Sequence, residues 1–438
     1  MLFRKIRADI EKHLKSDSGR VLVIDGARQT GKSFIIRETG KSLFENYIEI
    51  NLLEDALGRK LFANVSTTDD FYFTLSTIAG EKMKQKENTL VFLDEIQAYP
   101  QLLTLLKFLR QENRYTYIAS GSLLGVTLAR TASIPMGSIE VRHMQQLDFE
   151  EFLYANGYGK AAIETLRDKF EKRETLDENN HARLLDLFGK YLLVGGMPDA
   201  VNAWLADKNI VSVRAVQNEI HTYYGMDAAK YGTENKLKIR RIYDMIPSLM
   251  QRKKKRLVAA EIAQKKQDRF ENYSDETDYL ISSGTVNESR AVSTPVYPLL
   301  QNSGKNLVKL YLNDAGILTA LLYGNNIRAV LDNARSVNLG AVYETAVAAE
   351  LKAHGHRLWY YDNRKAGEID FLLDDCDTLS VIPVEVKSGR DYTIHSALTR
   401  FLQNKDYNVQ KAYVLSNDRE IKSLGTLTYL PIYMVMFL

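Results

Sequence analysis

Apolar residues fall along this chain in two different ways. In residues 1–146 they gather in short, near-continuous runs: RVLVID (20–25), NYIEINL (46–52), TLVFLDE (89–95) and YTYIAS (115–120), with GSIEVRHM (137–144) as a fifth candidate. Such runs, separated by helical patterns, predict strands buried on both faces and hence a parallel sheet covered by helices. From about Leu147 the apolar positions take a helical spacing, in LDFEEFLYANGYG, LLDLFGKYLL and VGGMPDAVNAWLADK, where Pro198 follows two glycines at a helix start. Residues 236–330 read as short helices, LVAAEIAQKK and RFENYSDETDYLISSG, then a Ser/Thr/Pro-rich turn through ESRAVSTPVYP and a hairpin. That order fits a winged helix-turn-helix. Residues 331–438 open on a helix, NLGAVYETAVAAELKAHG, and continue in strands: RLWYYD, EIDFLLD, VIPVEVKS, KAYVLS and a last buried strand in YLPIYMVMFL. The expected division is an α/β core over 1–146, a helical region over 147–235, a winged helix over 236–330 and a second α/β domain over 331–438.

Composition narrows this picture. A chain of 438 residues is too long for one ordinary core. With 45% hydrophobic residues, 26% charged residues and 8 prolines it is globular, and a net charge of +3 implies no particular partner. The charge is uneven, however. Lys236–Lys309 holds fifteen Lys/Arg against eight Asp/Glu, a local +7 that includes RKKKR at 252–256. Beside a winged helix such a run suits phosphate contacts with DNA, although charge runs are usually solvated faces. The lone Cys376 excludes an internal disulfide and any multi-cysteine zinc site. MLFRKIRADIEKHLK is too charged for a signal peptide, and no apolar run approaches the roughly 20 residues that span a bilayer. The expectation is a soluble cytoplasmic protein with no membrane partner.

The clearest chemistry lies near the N-terminus. GARQTGKS, residues Gly26, Ala27, Arg28, Gln29, Thr30, Gly31, Lys32 and Ser33, fits G-x-x-x-x-G-K-[ST] between a strand and a helix. Glycines let backbone N–H groups approach phosphate oxygens, and the helix N-terminus adds its positive end. Lys32 is expected to reach the β- and γ-phosphates, and the Ser33 hydroxyl to ligate Mg²⁺. Asp94 ends an apolar strand and can hold the same Mg²⁺ through water, while Glu95 is placed to orient or deprotonate an attacking water. The next strand ends in Ser120, Gly121 and Ser122, polar groups suited to sensing the γ-phosphate. Asp94 and Glu95 alone would be a solvated strand end; the loop makes them a site.

These residues resemble the AAA-type ATPases of bacteria and archaea, in the additional-strand division of P-loop enzymes. VGGMPDAV resembles the segment that opens the helical lid of their signalling-type relatives. GARQTGKS, LDEIQ, IASGS, LDFEEFL, GGMP, LYLNDAGIL, YETAVAAEL, GEIDFLL and PVEVKSG occur in the order of one family. Its members join such an ATPase to a winged helix and a C-terminal restriction-endonuclease-like domain of unknown function. The resemblance implies ATP rather than GTP. Two departures, Thr30 and Ser33 where many members have Val and Thr, are compatible with function. A third, Met136-Gly137-Ser138 in place of Gly-Arg, leaves the arginine finger unassigned: Arg130 and Arg142 are candidates, and the alternatives are a finger from another subunit or none.

In the C-terminal region Glu385 and Lys387 share one strand face, Asp370 lies in the preceding strand, and Glu344 lies on the entering helix. Restriction-type nucleases use these residue types: carboxylates hold Mg²⁺, and a lysine offsets the charge developing on the cleaved phosphate. Glu368 shares a face with Asp370 as an extra ligand. The bland alternative is that Glu385 and Lys387 pair across a solvated face. HGH at 354–356 is an ordinary turn. Three functions follow: an ATPase coupled to a DNA-directed nuclease-like domain, a non-nucleolytic nucleotide switch that engages a protein partner, and a transcriptional regulator with ATP as effector; assembly into an oligomer is left open.

Overall fold

The computed structural model describes residues 1–438 except 17, 85–87, 123–136, 229–235, 264–269, 304–306, 332–338, 364 and 390–391. Its contacts divide into two units. The first holds Phe3–Gln145 together with Ser282–Gly284. Each of the five predicted strands is present: β1 Val21–Asp25, β2 Asn46–Asn51, β3 Thr89–Asp94, β4 Thr116–Gly121 and β5 Ile139–His143. They form one parallel sheet in the order β2-β3-β4-β1-β5. Alternation along each strand sends side chains to two separate cores. Val21, Val23, Val91 and Leu93 meet helices Thr68–Ala79 and Pro100–Glu112 on one face. Leu22, Ile24, Leu90 and Phe92 meet Ile6–Lys15 and Lys32–Leu43 on the other. This two-sided burial is why the central strands read as continuous apolar runs. The order also inserts β4 between the strand that leads into the phosphate loop and the strand that ends in Asp94.

The second unit holds Met1–Leu2, Gln146–Ile281 and Thr285–Leu438. Helices Phe149–Ala155, Lys160–Lys172, Glu178–Val194, Pro198–Asp207, Ile210–Ala228 and Lys236–Met250 come first. Pro198 stands at the first turn of its helix, as expected. The segments GGMP and NDAGIL, far apart in sequence, meet: the Asp314 carboxylate accepts from the backbone N–H of Gly196 (2.7 Å) and of Ile317 (2.9 Å). Eight strands then form one sheet, β6 Val286–Val292, β7 Val308–Leu312, β8 Trp359–Asn363, β9 Gly367–Asp375, β10 Ser380–Val386, β11 Ala412–Ser416, β12 Lys422–Leu424 and β13 Leu427–Pro431, in the order β12-β13-β11-β10-β9-β8-β6-β7.

Two expectations need correction. ESRAV is not part of a turn but the body of β6, because its alternate residues are buried against the sheet. YLPIYMVMFL is not a single strand either. β13 ends at Pro431, which has no N–H to extend a ladder, and Ile432–Phe437 winds into a 3₁₀ helix that buries Ile432–Met436. The pairing of β6 with β8 is parallel, so the hairpin expected of a winged helix shares its sheet with the C-terminal strands. Among the described residues, no helix is long and apolar enough to cross a membrane.

Candidate active site

The loop after β1 turns through left-handed conformations at Gln29 (φ +62°) and Gly31 (φ +91°). At Gly26 a Cβ would lie 2.2 Å from the Met144 carbonyl oxygen, so no larger residue fits. The Lys32 ammonium is buried and donates to the carbonyl oxygens of Gly26 (3.0 Å) and Ala27 (2.7 Å). Burial lowers its pKa, while the carboxylates of Glu95, Asp25 and Asp94 pull the other way. Thr30 Oγ1 donates to the Ala27 carbonyl (2.9 Å). Arg4, which the sequence did not single out, donates to the carbonyl oxygens of Thr30 (2.8 Å) and Gln145 (2.5 Å) and ties the loop to the segment after β5.

Asp94, at the end of β3, accepts from the Ser120 hydroxyl of β4. Burial raises the Asp94 pKa, and the hydroxyls of Ser120 and Ser33 oppose that rise. Glu95 adopts a left-handed backbone (φ +57°), uncommon for a residue with a side chain. Its Oε2 accepts from the Ser122 hydroxyl (3.2 Å) and from the Gln97 side-chain amide. Arg28 Nε reaches Ser122 Oγ at 3.5 Å. Lys32, Ser33, Asp94, Glu95, Ser120 and Ser122 therefore meet at the carboxyl ends of β1, β3 and β4. The donor set suits a nucleoside triphosphate with Mg²⁺: loop N–H groups at a helix N-terminus and a buried ammonium for phosphate, a hydroxyl and a carboxylate for a hard cation. Arg142 is exposed and donates to Glu140 (2.8 Å); Arg130 lies outside the described residues.

The C-terminal candidates also meet, around a different set of partners. Lys387 Nζ donates to Glu385 Oε1 (2.8 Å), as the bland reading expected, yet Glu385 is only 7% exposed, so the face is not solvated. Glu385 Oε2 is buried without a hydrogen-bond partner. Burial first, then Asp370, pushes the Glu385 carboxyl up to about 8, against the pull of Lys387. Asp370 accepts from the Val386 N–H (2.8 Å). Glu344 is buried on helix Gly340–Ala353 and pairs with Lys255; burial raises its pKa, with Asp370 adding to the rise. Glu368 pairs with Lys309, a buried lysine of β7 whose ammonium lies 4.5 Å from the Tyr360 ring centre. Lys255 and Lys309 were not foreseen, although a lysine inside the apolar run VKLYL was a signal. Among the described residues, no group of three or more His, Cys, Asp or Glu is arranged to hold a metal ion. Three of the four carboxylates thus already pair with an ammonium group, Glu344 with Lys255, Glu368 with Lys309 and Glu385 with Lys387, while Asp370 pairs with a backbone N–H. His354 Nδ1 sits 2.9 Å from the Leu438 carbonyl oxygen, and its Nε2 lies 3.8 Å from Asp148.

Ion pairs account for most of RKKKR. Arg252 pairs with Glu261, Lys255 with Glu344 and Arg256 with Asp362 (3.5 Å), while Lys253 and Lys254 are exposed.

Three family profiles match the chain: one described as an AAA domain over residues 18–153, and two described as domains of unknown function, DUF8612 over 185–328 and DUF4143 over 339–435. No curated protein matches. Among solved structures, the Walker-type ATPase PABY2304 of Pyrococcus abyssi is similar at 14% identity, covering 74% of this chain and 96% of that one with a TM-score of 0.46. The Orc1 protein of Aeropyrum pernix, solved in complex with DNA, is 13% identical and covers 73% and 93% with a TM-score of 0.33. The Hsp104–ADP complex of S. cerevisiae is 11% identical and covers 65% and 38% with a TM-score of 0.32. The profile match over 18–153, the five-stranded parallel sheet and the phosphate loop together identify this part of the chain as an AAA-type P-loop ATPase domain.

Proposed function

We propose that the protein is a Mg²⁺-dependent ATPase whose nucleotide state is coupled to a nuclease-like C-terminal half. The observation that carries the ATPase reading is the placement of the Glu95 carboxylate beside the buried Lys32 and Asp94. A loop that only bound nucleotide would not need a carboxylate there. The N–H groups of Gly26–Ser33 would hold the phosphates, and the Lys32 ammonium would exchange the Gly26 and Ala27 carbonyls for phosphate oxygens. Ser33 and Asp94 would hold Mg²⁺, which would offset the negative charge of the phosphates. Glu95 would take the proton of the attacking water, and Ser120 and Ser122 would read the γ-phosphate. The test is ATP turnover with nucleotide binding measured in parallel. Lys32→Ala is expected to lose binding, and Glu95→Gln to keep it while hydrolysis slows about 10²- to 10⁴-fold. Unchanged turnover in Glu95→Gln would remove the role given to that residue.

For the C-terminal half two readings compete. In the first, Glu344, Asp370, Glu385 and Lys387 belong to a restriction-endonuclease-like domain that acts on DNA beside a winged helix. The ion pairs of Lys255 and Lys309 favour the second, a non-nucleolytic switch that engages a protein partner. Incubation of labelled single-stranded, duplex and branched DNA with Mg²⁺ or Mn²⁺, with and without ATP, separates them. Cleavage lost in Lys387→Ala selects the nuclease. ATP turnover without cleavage of any substrate selects the switch.

A further inference from the structure

LDEIQ contains one polar side chain to which the site as read so far gives no part. Gln97 lies two residues past Glu95, and the left-handed turn at Glu95 folds the chain back on itself there. One amide nitrogen, Gln97 Nε2, donates both to Glu95 Oε2 and to Ser122 Oγ (3.1 Å). Ser122 in turn donates to the same Glu95 oxygen (3.2 Å), so the three side chains close a ring. The other end of the amide is buried: Gln97 Oε1 has no hydrogen-bond partner. It lies over Gly121, where a Cβ would come within 2.8 Å of it. A side chain that merely filled space would not leave an acceptor buried and unpaired, at a cost of about 1–3 kcal/mol. The amide is held where its nitrogen must meet Glu95.

We propose that Gln97 is a positioning residue for hydrolysis: with Ser122 it fixes the Glu95 carboxylate in the orientation that receives the proton of the attacking water, and Gly121 is glycine to leave room for it. The inference rests on the ATPase reading above. Gln97 acts only through Glu95, so its removal leaves nucleotide binding alone and weakens what is gained at the transition state. Misplacing a catalytic group by about an ångström can cost roughly 100-fold.

The experiment compares the full-length wild type with Gln97→Met, which keeps the length and removes both polar ends, and with Gly121→Ala, which displaces the amide by crowding. For each, kcat, KM, thermal stability, and the affinities for ADP and for ADP with aluminium fluoride are measured. Both variants are expected to lower kcat roughly 10- to 100-fold. KM and ADP affinity should stay within about twofold, and preference for the fluoride complex should fall in proportion to kcat. Equal loss of ADP and fluoride-complex affinity, or wild-type kcat in a folded Gln97→Met, would overturn the inference while leaving the ATPase reading in place. Absence of turnover in the wild type, with ADP bound, would overturn both.

Discussion

At Glu385 burial and a neighbouring charge act in the same direction. Its carboxyl is pushed up to about 8, well above the ordinary glutamate value near 4.5. The folded chain therefore binds a proton at Glu385 that the unfolded chain has already released, over the range from about 4.5 to 8. Stability from this group is complete below the lower value and falls as pH rises towards the upper one. Burial lowers the pKa values of Lys387 and Lys309, but both end up raised, by Glu385 and Asp370 at Lys387 and by Tyr311 and then Glu368 at Lys309, so both affect stability only in the alkaline range. Unfolding midpoints measured from pH 5 to 8 should fall more steeply for the wild type than for Glu385→Gln, which stays neutral throughout. Parallel curves would show that the carboxyl titrates normally. That the residues of the loop and of the β3 and β4 ends would meet was legible in the sequence, because each stands at a fixed offset from a strand end or a loop. Gln97 sat in a quoted motif, but its role depends on the backbone turn at Glu95, which no spacing reveals. Lys255 and Lys309 could not be assigned, since their carboxylates lie 89 and 59 residues away.

Among elements, the central strands β1, β3 and β4 of the first unit were readable because burial on both faces leaves an unbroken apolar run, whereas β2 and β5 at the sheet edges are partly exposed and carry broken runs. The C-terminal run misled for a related reason. Continuous burial of Tyr429–Met436 looks the same whether the chain is extended or wound, and only Pro431 marks the change. The segment 252–256 likewise reads as a free basic face until its partners are known. Lys255 joins this segment to helix Gly340–Ala353, and both members of the pair are largely buried. Lys255→Met should destabilise the second unit by about 3–5 kcal/mol, because Glu344 is left as an unpaired buried carboxylate. Adding Glu344→Gln should restore most of that loss. Denaturant unfolding of the two single variants and the double variant checks this, and additive losses would mean that the pair does not act as one. If the run does meet DNA, the contact falls to Lys253 and Lys254, and substituting them should flatten the salt dependence of binding by about one unit per lysine.

For the molecule as a whole, one sheet runs across the boundary expected near residue 330, which also falls between the two matched domains of unknown function. β6 and β7 precede it and β8–β13 follow it, yet they build one sheet. A fragment ending at residue 330 is expected to aggregate, because β6 would present an unpaired edge in place of β8. Soluble, monodisperse material from that fragment would show that the hairpin stands without its neighbour. The same pairing bears on the order in which the chain can be completed. Arg290 is matched with Trp359, about 70 residues later, so β6 cannot find its partner until that stretch has been made. At a synthesis rate of about 5–20 residues per second, the edge waits some 4–14 s. For the last part of that time, about 2–9 s between completion of β7 at Leu312 and arrival of Trp359, the nascent chain carries a formed hairpin with one open side, and the interval grows wherever ribosomes slow between β7 and β8. The burden on chaperones should therefore fall on this one window of translation.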